Sequence, residues 1–369
     1  MSVAVFAVYV LEGLAVLSFA VLIALDIGGL MPKKKVYHEH ARGRSSYMPN
    51  TLVMVPCKGI DLTLEQNLKS LKAQDYKKHK LIAIVDSEND PALKIIKRLG
   101  IGHIISDSKC KNCSGKVKAI STALEKFNDY EAYAIVDSDV SVGRGWLASL
   151  LAPLSDKTVG LSTMYPYFMP EHGFWSKIKM MWGFVGDSLL ERESTRFGWG
   201  GSLAFRKELV DKGAIKFFKD SKYSVSDDIC LTKITKSRGM RIEYVRSPKP
   251  VVNCSESFSS FFEWANRQTA LTLLGYRKNL YVGLVYYSME AVVIVSGVLL
   301  SVFASPLFLF MFLHYIRNIA IGYKRAKKHY LEMPLIVLAL PFLYDINLII
   351  ASRMHEITWR GNRYKLMQA

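Results

Sequence analysis

Cysteine is scarce in this chain, and acids are outnumbered by bases. Five cysteines stand among 369 residues, at positions 57, 110, 113, 230 and 254, an odd count that argues against a disulfide framework. Cys110 and Cys113 form a lone CxxC without a second pair or nearby histidines, a weak zinc signal whose plain reading is two thiols in a loop. No Walker-type phosphate loop is present, because the glycine spacing and the following Ser/Thr are missing. No RNA- or DNA-binding fingerprint accompanies the net charge of +17. Nor does any Lys or Arg precede the first apolar run, as a cleaved signal peptide would require.

What is there is membrane-like at both ends. Residues 2–25 are almost continuously apolar, interrupted by Glu12, and long enough to span about 30 Å of hydrocarbon. Lys33, Lys34, Lys35, Arg42 and Arg44 follow, so the positive-inside rule places the next domain in the cytosol. Other Lys and Arg residues also cluster beside apolar segments, which favours a lipid-bilayer surface over nucleic acid. The resulting division is an N-terminal anchor over 1–27, a basic linker over 28–49, a soluble domain over 50–272, a C-terminal membrane region over 280–352 and a basic tail over 353–369. Within the membrane region, residues 280–321 read as a two-helix hairpin. Residues 334–351, with Pro341, Asp345 and Asn347, then read as re-entrant or interfacial, since a further full span would put the basic tail outside.

In the soluble domain, apolar runs at 51–55, 80–85, 101–105, 133–136 and 159–163 alternate with helical patterns, which predicts an α/β fold with a mostly parallel sheet. Asp61 or Thr63 can cap the helix carrying Leu64, Leu68 and Leu71. Residues 173–196 are aromatic, basic and amphipathic; an interfacial helix and a core helix both fit.

Acids stand at the carboxyl ends of the apolar runs, where open α/β sheets bind ligands: Asp86 after 81–85, and Asp137 with Asp139 after 133–136. Two carboxylates one residue apart can hold a hard divalent cation, Mn²⁺ or Mg²⁺, that also grips a diphosphate. Ser114-Gly115-Lys116 opens a helix and makes an anion site. Asp227 and Asp228 open another helix, where capping competes with acid–base chemistry.

This series resembles a membrane-embedded family 2, GT-A-type (nucleotide-diphospho-sugar transferase) inverting glycosyltransferase, nearest to the ceramide glucosyltransferase type. The resemblance covers about residues 51–365. It implies a GT-A mixed, mostly parallel sheet flanked by transmembrane helices, a nucleotide-sugar donor such as UDP-glucose and a membrane lipid acceptor. It places Pro56, Lys58, Asp86, Lys116, Asp137, Arg267, Trp359 and Arg360 at the donor, Asp139 with Asp137 at the metal, and Asp228 as the base. Gly200, Gly201, Ser202 and Trp264 fall at the acceptor. Trp264-Ala-Asn-Arg267-Gln268 departs from the family's (Q/R)xxRW signature, matching at Arg267 alone. The tail residues Trp359 and Arg360 match the ceramide-type carboxyl terminus; headgroup binding by a basic tail is the other reading. A polyprenyl-phosphate acceptor, a processive polysaccharide synthase and a non-catalytic membrane scaffold are the alternatives.

Overall fold

The computed structural model describes residues 3–30, 47–110 and 112–367. Its contacts divide the chain into two compact units: Met1–His38 with Phe262–Met354, and Glu39–Phe261 with His355–Ala369. The tail therefore belongs to the unit that holds the soluble domain. Lys33–Lys35, Arg42 and Arg44 lie outside the described residues.

The second unit is built on a seven-stranded sheet. Its strands are β1 (Thr51–Cys57), β2 (His79–Val85), β3 (Gly102–Ile105), β4 (Ala132–Val136), β6 (Val159–Thr163), β8 (Ser202–Arg206) and β9 (Arg241–Tyr244), in the order β3-β2-β1-β4-β8-β6-β9. β3, β2, β1 and β4 run parallel, β8 runs antiparallel to both its neighbours, and β6 pairs parallel with β9. Continuous apolar runs are the signature of strands covered on both faces; all five β4 residues are buried, as are the first five of β1. Leu52, Met54, Ile82 and Ile84 pack with Val117, Ile120 and Leu124 of the helix Gly115–Lys126. Each such side chain contributes about 1.5–3 kcal/mol of transfer free energy. A smaller sheet joins β5 (Val140–Ser141), β10 (Val251–Ser255) and β7 (Tyr167–His172), with β10 central.

Helix Phe174–Leu190 is mainly a packed helix. Ser176, Ile178, Lys179, Met180, Met181 and Gly183 are buried, and a Cβ on Gly183 would lie 2.5 Å from the Phe168 ring of β7. Lys179 is neutralised by Glu256 at 2.6 Å. The chain closes in a hairpin of β11 (Glu356–Trp359) and β12 (Asn362–Lys365). Arg360 and Gly361 form its two-residue turn with φ of 48° and 77°, the left-handed pair that matches the twist of a hairpin.

Two sequence expectations need correction. Cys110 and Cys113 are joined as a disulfide, their Cα atoms 5.9 Å apart and within bridging reach. The membrane region also divides differently. Among the described residues, three helices are long and apolar enough to cross a bilayer: Val8–Gly28, Asn279–Phe303 and Met333–Ser352. The second half of the expected hairpin is the helix Leu313–Arg325, whose 13 residues fall short of the roughly 20 a crossing needs. Met333–Ser352 is instead one continuous 20-residue helix, with Pro341 accommodated inside it. It packs closely on Asn279–Phe303, where a Cβ on Gly283 would lie 2.8 Å from Leu348, and Tyr287 stacks on Tyr344.

Candidate active site

The parallel strands set the stage, because their carboxyl ends deliver Lys58, Asp86 and the Asp137–Asp139 loop to one edge of the sheet. Lys58 pairs with Asp86 at 2.9 Å, which brings together two expected donor residues. Next to them the helix Gly115–Lys126 begins, capped by the Ser114 hydroxyl accepting from the Val117 amide at 3.2 Å. Ser114 N–H also donates to Ser224 O at 2.9 Å, which ties this helix start to the loop before Asp227.

Lys116 is the hub. Its ammonium lies 2.6 Å from Asp137 Oδ1 and 3.1 Å from Asp227 Oδ2, and it donates to Gly200 O at 3.0 Å. The Lys116 side chain is only 8% exposed. Burial pulls its pKa down, but the carboxylates of Asp137, Asp227 and Asp228 outweigh this and hold it above the ordinary lysine value. Burial raises both Asp137 and Asp227 despite the opposing pull of Lys116.

The glycine turn fits this pair. A Cβ on Gly200 would lie 2.5 Å from Asp227 Oδ2 and 2.8 Å from the ammonium, and one on Gly201 would lie 2.3 Å from the Trp199 ring. A side chain at Gly200 would displace the Lys116–Asp227 pair, and one at Gly201 the Trp199 ring. Ser202 is fully buried, and its hydroxyl accepts from Trp146 Nε1 at 2.8 Å.

Asp139 and Asp228 are left to do other work. Burial, then the neighbouring charges of Asp137 and Asp61, push Asp139 up to about 7. Asp228 is the second residue of the helix Asp227–Ser237. Its Oδ1 accepts from the Ile229 amide at 2.7 Å and from the Ser226 hydroxyl. The N-cap position belongs to Ser226, which makes no side-chain cap bond, and Asp228 meets its neighbours through one carboxylate oxygen.

Sequence reasoning missed Asp61 as a site residue. Its carboxylate does not cap the following helix; Oδ2 accepts from the Ser138 hydroxyl at 2.5 Å, and Oδ1 meets Arg360 Nη2 at 2.6 Å. Arg360 also donates to Lys58 O. Burial lowers the Arg360 pKa, but Asp61, Asp139 and Asp137 together raise it. On the other side of the hairpin, Tyr364 OH accepts from the Gly115 amide at 3.1 Å. The tail thus touches both the Lys58 loop and the helix start. Trp359 is half-buried at the end of β11, and Pro56 is half-buried within β1. Trp264 and Arg267 lie on the helix Phe258–Gly275, in the part of it that belongs to the other unit.

Among the described residues, no three His, Cys, Asp or Glu side chains converge as a closed metal cage. The donor set still suits a hard divalent cation. Asp139 sits among like charges that favour a bound cation over a second carboxylate, and an open site leaves room for phosphate oxygens as further ligands.

A family model described as glycosyl transferase family 21 matches residues 16–369. The motifs resemble family 2, so the family assignment moves, and the departures at Trp264 and Gln268 are departures from the family 2 signature. The fold is similar to that of the mannosyltransferase PcManGT from Pyrobaculum calidifontis, solved with GDP-Man and Mn²⁺. That match has a TM-score of 0.59 at 16% identity and covers 93% of this chain and 97% of that one. A looser match is glucosyl-3-phosphoglycerate synthase from Mycobacterium tuberculosis, solved with Mn²⁺ and UDP-glucose. Its TM-score is 0.40 at 13% identity, covering 61% of this chain and 78% of that one. The mixed, mostly parallel sheet is thus of the GT-A type.

Proposed function

Because the chain belongs to glycosyl transferase family 21, we propose that it transfers glucose from UDP-glucose to the hydroxyl of a membrane lipid, inverting the anomeric centre. One observation carries the assignment of roles. Two acidic pairs meet at the site, and Lys116 binds the first member of each, Asp137 and Asp227. Asp139 and Asp228 are the two carboxylates left for chemistry.

Asp139 would hold Mn²⁺ or Mg²⁺, with Asp137 braced beside it, and the cation would neutralise charge on the leaving diphosphate. Asp228 accepts the proton of the acceptor hydroxyl as that oxygen bonds to the anomeric carbon. The bond from this carbon to the diphosphate oxygen breaks in the same displacement, and the nucleoside diphosphate departs. Lys116 and Arg360 supply fixed positive charge where the negative charge gathers. Lys58 and Asp86 line the nucleoside end, and Gly200 and Gly201 the acceptor side.

The helix count supports a single side for the whole site. Were the three candidate helices each to cross the bilayer, residues 47–278 and 353–367 would share one face, and the basic 33–35 cluster favours the cytosol for it. An acceptor lipid then reaches the site from the cytosolic leaflet.

The test is to incubate purified protein with UDP-glucose, Mn²⁺ and a host lipid extract, and to analyse the lipids by mass spectrometry. A hexosyl-lipid that disappears in Asp139→Ala supports the reading. Product with another nucleotide-sugar removes only the choice of donor. No product with any donor, from folded protein, returns the chain to a membrane scaffold. Transfer that survives Asp228→Asn points to a polyprenyl-phosphate acceptor, whose oxygen needs no base.

A further inference from the structure

The geometry points to Asp61 as a positioning residue that couples the carboxyl-terminal hairpin to the Asp137–Asp139 loop, so that hairpin closure and donor binding reinforce each other. The inference rests on the donor-site reading above.

Three features carry it. First, the two oxygens of Asp61 are divided between elements far apart in sequence. Oδ2 takes Ser138, the residue between the two acids, and Oδ1 takes Arg360, the first turn residue of the hairpin. The Asp61 side chain is 13% exposed and that of Arg360 33%, so the Ser138 contact is the more shielded from water and salt of the two. Second, the loop end of this link is held tightly. While Asp61 fixes the Ser138 side chain, Asn67, fully buried, donates from Nδ2 to Ser138 O at 2.9 Å. A change in the loop is therefore passed to Asp61 rather than absorbed by Ser138. Third, the hairpin end reaches the donor site twice, at Lys58 O through Arg360 and at the Gly115 amide through Tyr364. Moving Arg360 off Asp61 would release a hairpin that shields the Lys58 loop and the helix start. It would also leave Asp61, Asp137 and Asp139 as three acids short of one cation.

The full-length protein in detergent micelles is the material for the test, with amide hydrogen exchange over residues 356–366 as the main readout. In the wild type, Mn²⁺ with UDP should increase protection of the hairpin. In Asp61→Asn, which keeps shape and one acceptor, the hairpin should exchange faster without ligand and gain no protection with it. KM for UDP-glucose should rise about tenfold with a smaller change in kcat. Arg360→Gln should reproduce both effects from the other end, and the double variant should be no worse than either single one. Asp61→Glu, with its charge restored, should recover part of the protection. Unchanged exchange in Asp61→Asn, or effects that multiply in the double variant, would overturn the coupling. Should the wild type fail to bind Mn²⁺ with UDP, the donor reading falls. Exchange in the ligand-free variants still decides whether Asp61 holds the hairpin. If Asp61→Asn does not fold, Arg360→Gln alone decides, because its side chain is a third exposed.

Discussion

Both units bury acids, and they settle the charge in opposite ways. In the unit built on apolar helices one acidic cluster is closed. Asp26 meets Arg317 at 2.5 Å and His314 at 2.8 Å, while Glu290 meets the other His314 nitrogen at 3.2 Å. Two acids face two basic side chains, as an apolar environment demands. In the sheet unit Asp61, Asp137, Asp139, Asp227 and Asp228 gather around Lys116 and Arg360. A fully paired cluster pins helices together. An unbalanced one at strand ends is a site whose missing charge comes from outside.

The largest effect separates the two carboxylates left over from the two that are tied. Asp228→Asn should cut transfer by about 10²–10⁴-fold, the range for losing a general base, while nucleotide binding persists. Asp227→Asn should instead damage the Lys116 hub, lowering nucleotide affinity and stability together. Steady-state kinetics beside isothermal titration with UDP distinguish the two patterns. Identical profiles would erase the division of labour.

Removing the shared cation comes next. Lys116→Met leaves Asp227 buried without its partner, and breaking such a pair costs about 3–5 kcal/mol; Asp137, with 31% of its side chain exposed, adds less. Arg317→Met in the closed cluster should cost less, because Arg317 is a third exposed and Asp26 keeps His314. Thermal melting in one detergent ranks the two. Equal losses would mean that both clusters are structural pins.

The open cluster should also respond to pH where an ordinary carboxylate does not. The Asp139 pKa is raised to about 7 from an unfolded value near 4. Between those values the folded, ligand-free protein holds a proton that the unfolded chain has released, so its stability falls as pH rises through this window. A divalent cation replaces that proton. Mn²⁺ affinity should therefore strengthen up to about pH 7 and level off above it, changing by about tenfold per pH unit below for one released proton. Titrations from pH 5.5 to 8 check the slope, which should vanish in Asp139→Asn.

The sequence made the sheet's parallel half readable because its signals are local. Apolar runs marked β1, β2 and β4, and acids at the ends of β2 and β4 marked two of the loops. Ser114-Gly115 marked a helix that does begin at Gly115. What escaped was pairing over distance. Nothing near Asp61 announces Ser138, 77 positions away, or Arg360, 299 positions away. The antiparallel insertion of β8 between β4 and β6 is equally invisible to a local pattern. The placing of the apolar helices differs for another reason. Hydropathy alone gave residues 280–321 two spanning helices, although His314 and Arg317 in the second of them were already there to say that this piece had polar partners to meet.

The smallest effect concerns the tail, and it decides between the two readings of its basic charge. Arg360 is fixed against Asp61 and Lys58, whereas Arg363, on the next strand, lies 3.8 Å from Glu356 with 78% of its side chain exposed. Exposed pairs of this kind contribute little. If the tail acts through directed contacts, Arg363→Gln should leave nucleotide affinity and melting temperature unchanged, while Arg360→Gln weakens the first. If it acts as a basic patch on anionic headgroups, position within the hairpin is irrelevant. Each substitution should then weaken binding to phosphatidylserine-containing vesicles by the same increment, about 1 kcal/mol per charge, and neither should touch nucleotide affinity in neutral detergent. Comparing these two arginines in both assays separates a part of the active site from a part of the membrane anchor.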